Sequence, residues 1–541
     1  MGRANLYKFS AVWAFVSLLA LVYGCGKSEP PERAQEGRGL STNDVVTYHF
    51  DNARTGVYAN ETTLNPTNVN FKSFGKIGFY SVDGKVDGQP LYLFQMSISA
   101  GVHNVLYVVT EHDSVYAFDA DSGAILWKKS MLGSGETTSD PVDSCFLIAP
   151  EIGITSTPVI DRARGVMYVV AMSKRGGTYI QRLHALDVTT GLEMFGGPTT
   201  IQASYPGTGD NSSNGRVVFD PKQYTERAGL LLLNGIVYTT WTSHCDVRPY
   251  TGWVIGYDAS TLMQVKVLNI TPNGSDGAIW MAGTAPAADT NGNIFLLSAN
   301  GTFETTLDAG GFPDKADFGN CFLKIATSGG LSVADYFTMS NTVEESDADL
   351  DLGSGGAIVL PDLTDENGQT RHLAVGAGKD RTIYVVDRDN MGRFNATDNI
   401  YQEISGALDK GVFSMPAYFK NTIYYGAGGD RLKAFAISNA KLSTTATSQS
   451  VDLFSYPGTT PSVSANGTTN GIVWTMANDG IAAVLRAYDA TDLGKEIYNT
   501  EQAASSRDRF GPGNKFITPV ITNGKVFVGT TNGVAVFGLL P

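Results

Sequence analysis

Short apolar segments alternate with clusters of polar residues and glycine from about residue 45 to the end of the chain. In the stretch VYAFDADSGAILWKK, residues 115–129, two apolar segments flank an Asp- and Gly-containing turn, and the second contains Trp127. Aspartate accepts hydrogen bonds from nearby backbone N–H groups and glycine adopts positive φ, so both residues suit a tight turn. The pattern therefore predicts a β-hairpin.

The hairpin pattern recurs, and a second element precedes most of its copies. Similar hairpins are predicted at 183–195, 254–266, 383–394 and 485–498. Six short predicted strands begin at a proline, where a missing N–H costs no ladder bond; these prolines are Pro90, Pro158, Pro286, Pro416, Pro461 and Pro519. Two further units, at 230–241 and 355–362, lack this proline. The sequence thus contains eight β units.

The two ends of this region complement each other. The last unit, after residue 516, holds only three predicted strands, whereas residues 71–82 near the beginning offer one strand without a partner. If that strand completes the last sheet, the units close into a ring without exposed edges. We therefore expect an all-β fold, an eight-bladed β-propeller spanning residues 45–541, closed by pairing of the N- and C-terminal strands; seven blades is the alternative.

The length of the repeat is unusual for this architecture. From Pro90 to Pro519 the eight units average about 61 residues each, against roughly 40–50 in typical propeller repeats. The excess lies in polar, glycine-rich insertions at 131–150, 204–227 and 304–318. These insertions are expected to lie outside the repeated strands.

The first residues have the features of an export signal. Arg3 and Lys8 precede an apolar run that is short for a membrane span, as in a secretory signal peptide over residues 1–24. The run ends in VYGC, which resembles a bacterial lipobox with Cys25 as the lipidated residue, and residues 25–44 are predicted to form a flexible tether. This predicts a lipid-anchored protein of the cell envelope, most simply on the outer membrane facing the periplasm or surface; an ordinary signal peptide with a chance cysteine is the alternative.

The net charge argues against one class of partner, and the cysteine content limits the disulfides and the metal or haem sites. A formal net charge of −14 opposes a nucleic-acid partner, because phosphates require clustered basic residues. Without Cys25, three cysteines remain, so at most one disulfide forms and the spacing does not identify the pair. The sequence contains no Cys-x-x-Cys motif, so neither a structural zinc nor a c-type haem is predicted.

The segment DADSGAILW, residues 119–127, carries the pattern D-x-x-[ST]-G-x-x-x-W and resembles the PQQ-like, or quinoprotein dehydrogenase-like, β-propeller repeats. PQQ is pyrroloquinoline quinone. The resemblance implies a fold shared by two kinds of protein: dehydrogenases that hold PQQ and calcium, and outer-membrane assembly lipoproteins that bind partners. Fold alone does not choose between them.

The resemblance also implies a possible site. LLSANGTFE is similar to the family segment that supplies a calcium ligand, which indicates Asn300. DADLDLGSGG is similar to the segment with the catalytic aspartate, which indicates Asp349 as base and Asp349 and Asp351 as calcium ligands. GAGKDRTIYVVDR is similar to the segment with a basic cofactor contact, which indicates Lys379.

A basic cluster near the end of the chain is a further candidate for binding an anionic cofactor. SSRDRFGPGNKF contains Arg509 and Lys515 just before a predicted inner strand, from which a ring would direct some side chains to its centre. A surface loop held by salt bridges is the alternative.

The chain departs from the dehydrogenase pattern. It lacks an adjacent cysteine pair, and small residues follow Trp280 where a tryptophan is expected beneath the quinone. Asn300-Gly301 and Lys379-Asp380 are also plausible hairpin turns. The leading hypothesis is therefore a lipid-anchored envelope propeller that binds a small ligand or an envelope protein without dehydrogenase chemistry. The alternative is a calcium- and PQQ-dependent alcohol or sugar dehydrogenase, so whether the protein is an enzyme stays open.

Overall fold

The computed structural model describes residues 41–99, 101–478 and 482–541. Within these ranges the protein is all-β, with eight sheets of four or five strands and two small additional sheets. The predicted signal peptide 1–24, Cys25 and the first part of the predicted tether lie outside the described residues. No helix in the described part of the chain has the length and apolar character needed to cross a bilayer.

The first four sheets follow one another along the chain. Sheet 1 contains Leu91–Ile98, Gly101–Val109, Ser114–Asp119 and Ile125–Ser130. Sheet 2 contains Thr137–Thr138, Val159–Asp161, Val166–Arg175, Thr178–Asp187 and Thr199–Thr200. Sheet 3 contains Tyr224–Thr225, Leu231–Leu233, Ile236–Ser243, Trp253–Asp258 and Gln264–Asn269. Sheet 4 contains Ala287–Ala288, Ile294–Leu297, Phe322–Ala326 and Ser332–Phe337.

The last four sheets include two that recruit strands from the N-terminal region. Sheet 5 contains Ile358–Val359, Leu373–Ala377, Ile383–Asp387 and Gln402–Ile404. Sheet 6 contains Ala417–Phe419, Thr422–Gly426, Asp430–Ser438, Lys441–Leu442 and Ser448–Phe454. Sheet 7 contains Val57–Tyr58, Ser462–Asn466, Thr469–Asn478, Ala483–Asp489 and Asp492–Asn499. Sheet 8 contains Phe74–Ser81, Val520–Thr522, Lys525–Gly529 and Gly533–Leu539.

The remaining elements are short. The insertion after sheet 2 forms a small sheet of Ser204–Pro206, Ser212–Ser213 and Arg216–Val218, and Leu363–Thr364 pairs with Thr370–Arg371. Helix α1 spans Thr342–Asp347. Single 3₁₀ turns occupy Val142–Ser144, Leu352–Ser354 and Ala504–Ser506.

The recurrent prolines mark the start of one strand in each of six sheets. Each of these strands begins at the residue after its proline, and the two units without the proline supply Leu231–Leu233 and Ile358–Val359. We call these eight the inner strands: Leu91–Ile98, Val159–Asp161, Leu231–Leu233, Ala287–Ala288, Ile358–Val359, Ala417–Phe419, Ser462–Asn466 and Val520–Thr522. The predicted placement of a proline just before a strand is therefore observed throughout.

The hairpin motif makes the contact between neighbouring sheets. Asp119 accepts hydrogen bonds from the backbone N–H of Ser122 at 2.7 Å and of Asp121 at 3.0 Å, which forms the predicted turn. The indole of Trp127, 9% exposed, donates to the carbonyl of Val188 in sheet 2 at 3.1 Å, and the hydroxyl of Tyr107 donates to the same carbonyl at 2.9 Å. The hairpin that contains Trp127 thus joins sheet 1 to the segment that follows Thr178–Asp187 of sheet 2.

The strand predicted to lack a partner finds one at the other end of the chain. Phe74–Ser81 pairs antiparallel with Gly533–Leu539, with Phe74 opposite Leu539 and Ser81 opposite Gly533. Tyr80 of this strand also donates to the carbonyl of Ala120 in sheet 1 at 3.0 Å. Sheet 8 is therefore built from both ends of the described chain and contacts sheet 1.

Residues 43–58, which we call the inner belt, hydrogen-bond to every one of the eight sheets. Along the belt, the partners come first from sheet 8 and then from sheets 1 to 7 in order. With the sheet residue named first, the pairs are Thr522 and Asn43, Tyr92 and Val45, Ile160 and Val46, Leu232 and Asn52, Ala288 and Asn52, Val359 and Ala53, Tyr418 and Thr55, and Val463 and Gly56. Because sixteen residues reach all eight sheets, the inner strands surround a common centre.

The belt is anchored by a buried arginine. Arg54 is fully buried and donates from Nε to the carbonyl of Pro286 at 2.8 Å and from Nη1 to Thr47 Oγ1 at 2.7 Å. The carbonyl of Tyr48 accepts a further bond at 2.8 Å. Because a buried guanidinium must satisfy its donors, these bonds fix the belt against the inner strands.

Two findings revise the expectations for the chain's first part and its cysteines. The Asp44 carboxylate, 1% exposed, pairs with Arg162 at 2.6 Å, so residues 41–44 belong to the folded unit rather than to the predicted tether. The disulfide that the sequence left unassigned joins Cys145 to Cys245, and Cys321 is free and buried.

Candidate functional site

One cavity is lined by side chains from two sets of loops. The first set precedes the inner strands, and the second set follows the strand that comes next in the chain. Its volume is about 610 Å³, including the open solvent at its mouth. The lining residues come from successive units of the chain: Leu147, Arg227, Asp246, Trp280, Ala282, Asn300, Asp351, Ser354, Lys379, Phe413, Tyr456 and Phe516. The cavity is the meeting point of the repeated units and the natural place to seek a ligand site.

Three of the predicted site residues, Asn300, Asp351 and Lys379, line this cavity, and Asp349 contacts Asn300 and Lys379 from outside the lining. Lys379 Nζ lies 2.5 Å from Asp349 Oδ1 and 2.6 Å from Asp351 Oδ1, and Asn300 Nδ2 donates to Asp349 Oδ1 at 2.8 Å. The backbone of Lys379 donates to the carbonyl of Asp351 at 2.9 Å. A Cβ on Gly378 would come within 2.4 Å of that carbonyl oxygen, so glycine before the lysine is required for this close approach.

The charges of Lys379, Asp349 and Asp351 influence one another's pKa. Burial would raise the pKa of Asp349, but hydrogen bonds from Lys379 and Asn300 and the lysine charge outweigh it, so the pKa is lowered. Burial raises the pKa of Asp351 against the opposing effect of Lys379. For Lys379, burial would lower the pKa, but the two carboxylates outweigh it and the pKa is raised. Lys379 is therefore a stable cation held between the two aspartates.

The residues do not fit a calcium ion in this arrangement. Calcium requires six to eight oxygen ligands, and Asn300 Oδ1 is buried without a hydrogen-bond partner among the described residues. However, the ammonium of Lys379 occupies the space between the two carboxylates, and no group of three or more acidic, His or Cys side chains in the described ranges is arranged to hold a metal. A calcium ion would have to displace Lys379.

Arg227 is the main residue that sequence reasoning missed. Its guanidinium carbon lies 5.7 Å from the ring centroid of Trp280 and 5.1 Å from that of Phe516. Arg227 is 8% exposed, and burial lowers its pKa despite the opposing charge of Asp87. Trp280 thus lines the cavity with a guanidinium over its ring.

A second recess adjoins the cavity and shares Arg227, Leu147 and Phe516 with it. This recess has a volume of about 350 Å³ and is also lined by Lys515 and by Asp87. Lys515 Nζ lies 4.9 Å from the ring of Tyr456. Asp87 is paired with Lys85 at 2.9 Å and accepts a hydrogen bond from Asn514 at 2.7 Å.

The predicted cluster of Arg509 and Lys515 is divided. Lys515 lines the second recess, but Arg509 is exposed, outside both linings, and its carbonyl accepts a hydrogen bond from Lys76. The chain turns after Arg509, because Gly511 has a φ of +109°, which separates the two basic side chains.

The disulfide lies beside the cavity. Leu147 and Asp246, close in sequence to the half-cystines Cys145 and Cys245, both line it. Asp246 Oδ1 accepts a hydrogen bond from Tyr250 at 2.9 Å. Because Cys245 is disulfide-bonded, it cannot act as a thiolate nucleophile beside His244.

A simple positional rule could have found the missed residues. The residue four positions before an inner strand lines the cavity or the second recess in seven of the eight units: Asp87, Thr155, Arg227, Gly283, Ser354, Phe413 and Phe516. In the units that carry the recurrent proline, this position is the third residue before it. Arg227 supplies the only cation among these seven.

Comparison with known proteins supports the repeat family and the fold. Residues 94–235 match the family described as outer membrane protein assembly factor BamB. No curated protein matches the sequence. The predicted PQQ-like repeats are therefore confirmed over that part of the chain.

Two solved structures are similar over nearly the whole chain. Quinohemoprotein alcohol dehydrogenase from Comamonas testosteroni is 15% identical, with a TM-score of 0.61 over 93% of this chain and 82% of its own. A quinohemoprotein alcohol dehydrogenase from Pseudomonas putida is 14% identical, with a TM-score of 0.58 over 92% of this chain and 80% of its own. At this identity the likeness concerns the fold, which is that of PQQ-type β-propellers.

Proposed function

We propose that this PQQ-like repeat protein is an eight-bladed β-propeller of the cell envelope that binds a small ligand in its central cavity and performs no dehydrogenase chemistry. The blade count and closure are supported by the eight sheets, by the pairing of Phe74–Ser81 with Gly533–Leu539, and by the inner belt that reaches all eight.

The position of Lys379 carries the proposal. A general base must accept a proton from the substrate, and Asp349, the predicted base, already accepts hydrogen bonds from Lys379 and Asn300. A cation that polarises a quinone would need the space between Asp349 and Asp351, which the ammonium fills. This arrangement supports binding without turnover.

The test combines binding with activity. Purified protein is titrated with PQQ and with a panel of small organic anions by calorimetry, with and without calcium, and dye reduction is followed with alcohols and sugars. We expect binding that is weakened in Trp280→Ala, no strengthening by calcium and no substrate-dependent turnover. Asp347→Ala serves as the matched control for Asp349→Ala, because Asp347 is exposed at the end of α1, whereas Asp349 contacts Lys379 and Asn300.

A PQQ- and calcium-dependent alcohol or sugar dehydrogenase is the second candidate. It is favoured by Asn300, Asp351, Lys379 and Trp280, which line one cavity of a quinohemoprotein-like fold, with Asp349 paired to Lys379 beside them. Turnover that is lost in Asp349→Ala and kept in Asp347→Ala would establish it. A cavity that binds none of the probes would contradict the ligand-binding proposal.

An assembly scaffold is the third candidate, favoured by the match of residues 94–235 to the BamB family. A scaffold would hold an envelope protein rather than a small molecule. Cross-linking in intact cells followed by purification would then recover one stoichiometric envelope protein, and the cavity variant Trp280→Ala would leave that complex intact.

Attachment through Cys25 completes the proposal. The lipobox-like VYGC sequence and the polar residues after it support a lipid anchor on the outer membrane, facing the periplasm or surface. Labelling with palmitate that disappears in Cys25→Ala, with Cys321→Ala as control, would support the anchor. A labelled Cys25→Ala protein would exclude lipidation at that position.

A further inference from the structure

Arg227 differs from the other buried arginines of the described chain. Four arginines are less than 9% exposed: Arg54, Arg162, Arg227 and Arg388. Arg54 donates to carbonyl oxygens, Arg162 pairs with Asp44, and Arg388 pairs with Asp289 at 3.2 Å. Arg227 has neither a hydrogen bond nor an ion pair to the described residues, and its neighbours are the rings of Trp280 and Phe516.

Such a guanidinium is costly for the folded protein. A buried charged group that has lost water needs acceptors for its donors, and ring faces replace only part of that interaction. Arg227 faces the cavity rather than the packed core between sheets. A side chain that weakens the fold and faces a cavity is typical of a binding site.

The surroundings of Arg227 favour an anion. In the second recess, Lys85 is neutralised by Asp87, whereas Lys515 has no carboxylate partner among the described residues and lies over the Tyr456 ring. Arg227 and Lys515 therefore leave an excess of positive charge in a protein whose net charge is −14. In a concave site such charges concentrate oxyanions.

We infer that Arg227 and Lys515 form a subsite for one oxyanion, a carboxylate or a phosphate, in the second recess beside the central cavity. The subsite deepens the proposed ligand-binding role and rests on it, because the oxyanion would be either a free ion or the charged end of the cavity ligand. The recess is smaller than the central cavity, at about 350 Å³ against about 610 Å³, both including open solvent. The planar guanidinium offers a fork of N–H donors that matches two oxygens of either anion.

The test uses the opposite effects of two buried arginines. Without ligand, Arg227→Met should leave the urea midpoint unchanged or raise it, because an unsatisfied charge is removed. Arg54→Met should lower the midpoint, because its acceptors are then left without donors. Inorganic phosphate should raise the melting temperature of the wild type and of Arg509→Met, the exposed control from the same segment as Lys515, but not that of Arg227→Met.

Affinities for phosphate and for benzene-1,3-dicarboxylate, measured by calorimetry, complete the test. We expect Arg227→Met to weaken binding about 10-fold or more and Lys515→Gln to weaken it less, while Arg509→Met stays within about twofold. An Arg227→Met protein that binds both anions like the wild type, or that is destabilised as Arg54→Met is, would overturn the subsite. Failure of both anions to bind the wild type would do the same.

The two probes also separate the sources of the oxyanion and the two proposals. Binding of phosphate alone, dependent on Arg227 and indifferent to Trp280→Ala, supports a free oxyanion and counts against a cavity ligand with a flat body. Binding of the aromatic dicarboxylate that depends on both Arg227 and Trp280 supports a ligand that spans the cavity and the subsite. Binding of the dicarboxylate that depends on Trp280 only keeps the ligand-binding role and removes the subsite.

Discussion

Replacing Arg54 with methionine should loosen the inner belt and destabilise the whole protein. The guanidinium donates five hydrogen bonds. Three go to Thr47, Tyr48 and Asp51 within the belt, and two go to Leu230 and Pro286, the residues just before the inner strands of sheets 3 and 4. Methionine fills most of the same volume but donates none of these bonds. The substitution therefore isolates the hydrogen bonds from the packing.

The size of the effect follows from the acceptors that lose their donor. The carbonyls of Pro286 and Tyr48 lie at 2.8 Å from the guanidinium and become unsatisfied inside the protein; each such group costs about 1–3 kcal/mol. The substitution also removes a charge that burial disfavours, since burial lowers the pKa of Arg54 to about 10. Removing this charge recovers part of the lost stability. We expect a net loss of about 3 kcal/mol in the free energy of unfolding.

Urea denaturation followed by tryptophan fluorescence measures the loss, and limited proteolysis reports on the belt itself. Arg509→Met is the control, since an exposed arginine should change stability by less than about 0.5 kcal/mol. An Arg54→Met protein that unfolds at the wild-type midpoint, with residues 43–58 still resistant to protease, would refute the belt as a fastening of the ring.

Three further predictions concern the disulfide, the carboxyl group of Asp317 and the ammonium group of Lys379. The double variant Cys145→Ser, Cys245→Ser should lose up to about 4.7 kcal/mol in denaturant unfolding, because the disulfide closes a loop with a sequence separation of 100; equal stability of reduced and oxidised wild type would contradict this. Burial, then the nearby Glu304, raises the pKa of Asp317 to about 7, so the folded state binds the proton more tightly and its stability falls as pH rises from about 4 to 7. Asp317→Asn should therefore be more stable than the wild type at pH 8 by about 1 kcal/mol or more and equal to it near pH 4, and a constant difference across that range would exclude Asp317 as the cause. Lys379→Ala should bind calcium in calorimetric titrations under conditions in which the wild type does not, and should be less stable than the wild type until calcium is added.

The fold could be predicted from local patterns because its repeated contacts are local. The Asp–Gly turns and the prolines before inner strands each depend on a few neighbouring residues. The strand near residue 74 has its partner at the other end of the chain, and it could be predicted because the last unit lacked one strand. The inner belt could not be predicted in this way. Residues 43–58 have no strand periodicity, and they are fixed largely by hydrogen bonds to backbone groups of distant sheets, which any sequence of side chains would offer equally.

The site was predictable where the resemblance supplied a motif and not elsewhere. Asn300, Asp349, Asp351 and Lys379 meet as their order along the chain suggested. Arg227 was missed because an arginine before an apolar strand is ordinary in sequence, and only its burial without an acceptor distinguishes it. The pairing of Cys145 with Cys245 depends on two loops, 100 residues apart in sequence, that approach only in the folded protein.

The Lys379→Ala prediction decides between the two main readings of the cavity. Two carboxylates whose oxygens both lie within 2.6 Å of one ammonium repel each other once it is removed. With the unpartnered Asn300 Oδ1 beside them, they then present hard oxygens of the kind that calcium takes. Calcium uptake by the variant alone would mean that Lys379 stands where a metal could be held, so the wild-type cavity serves binding. Calcium uptake by the wild type as well would mean that the ammonium yields to the ion, and the dehydrogenase candidate would then lead.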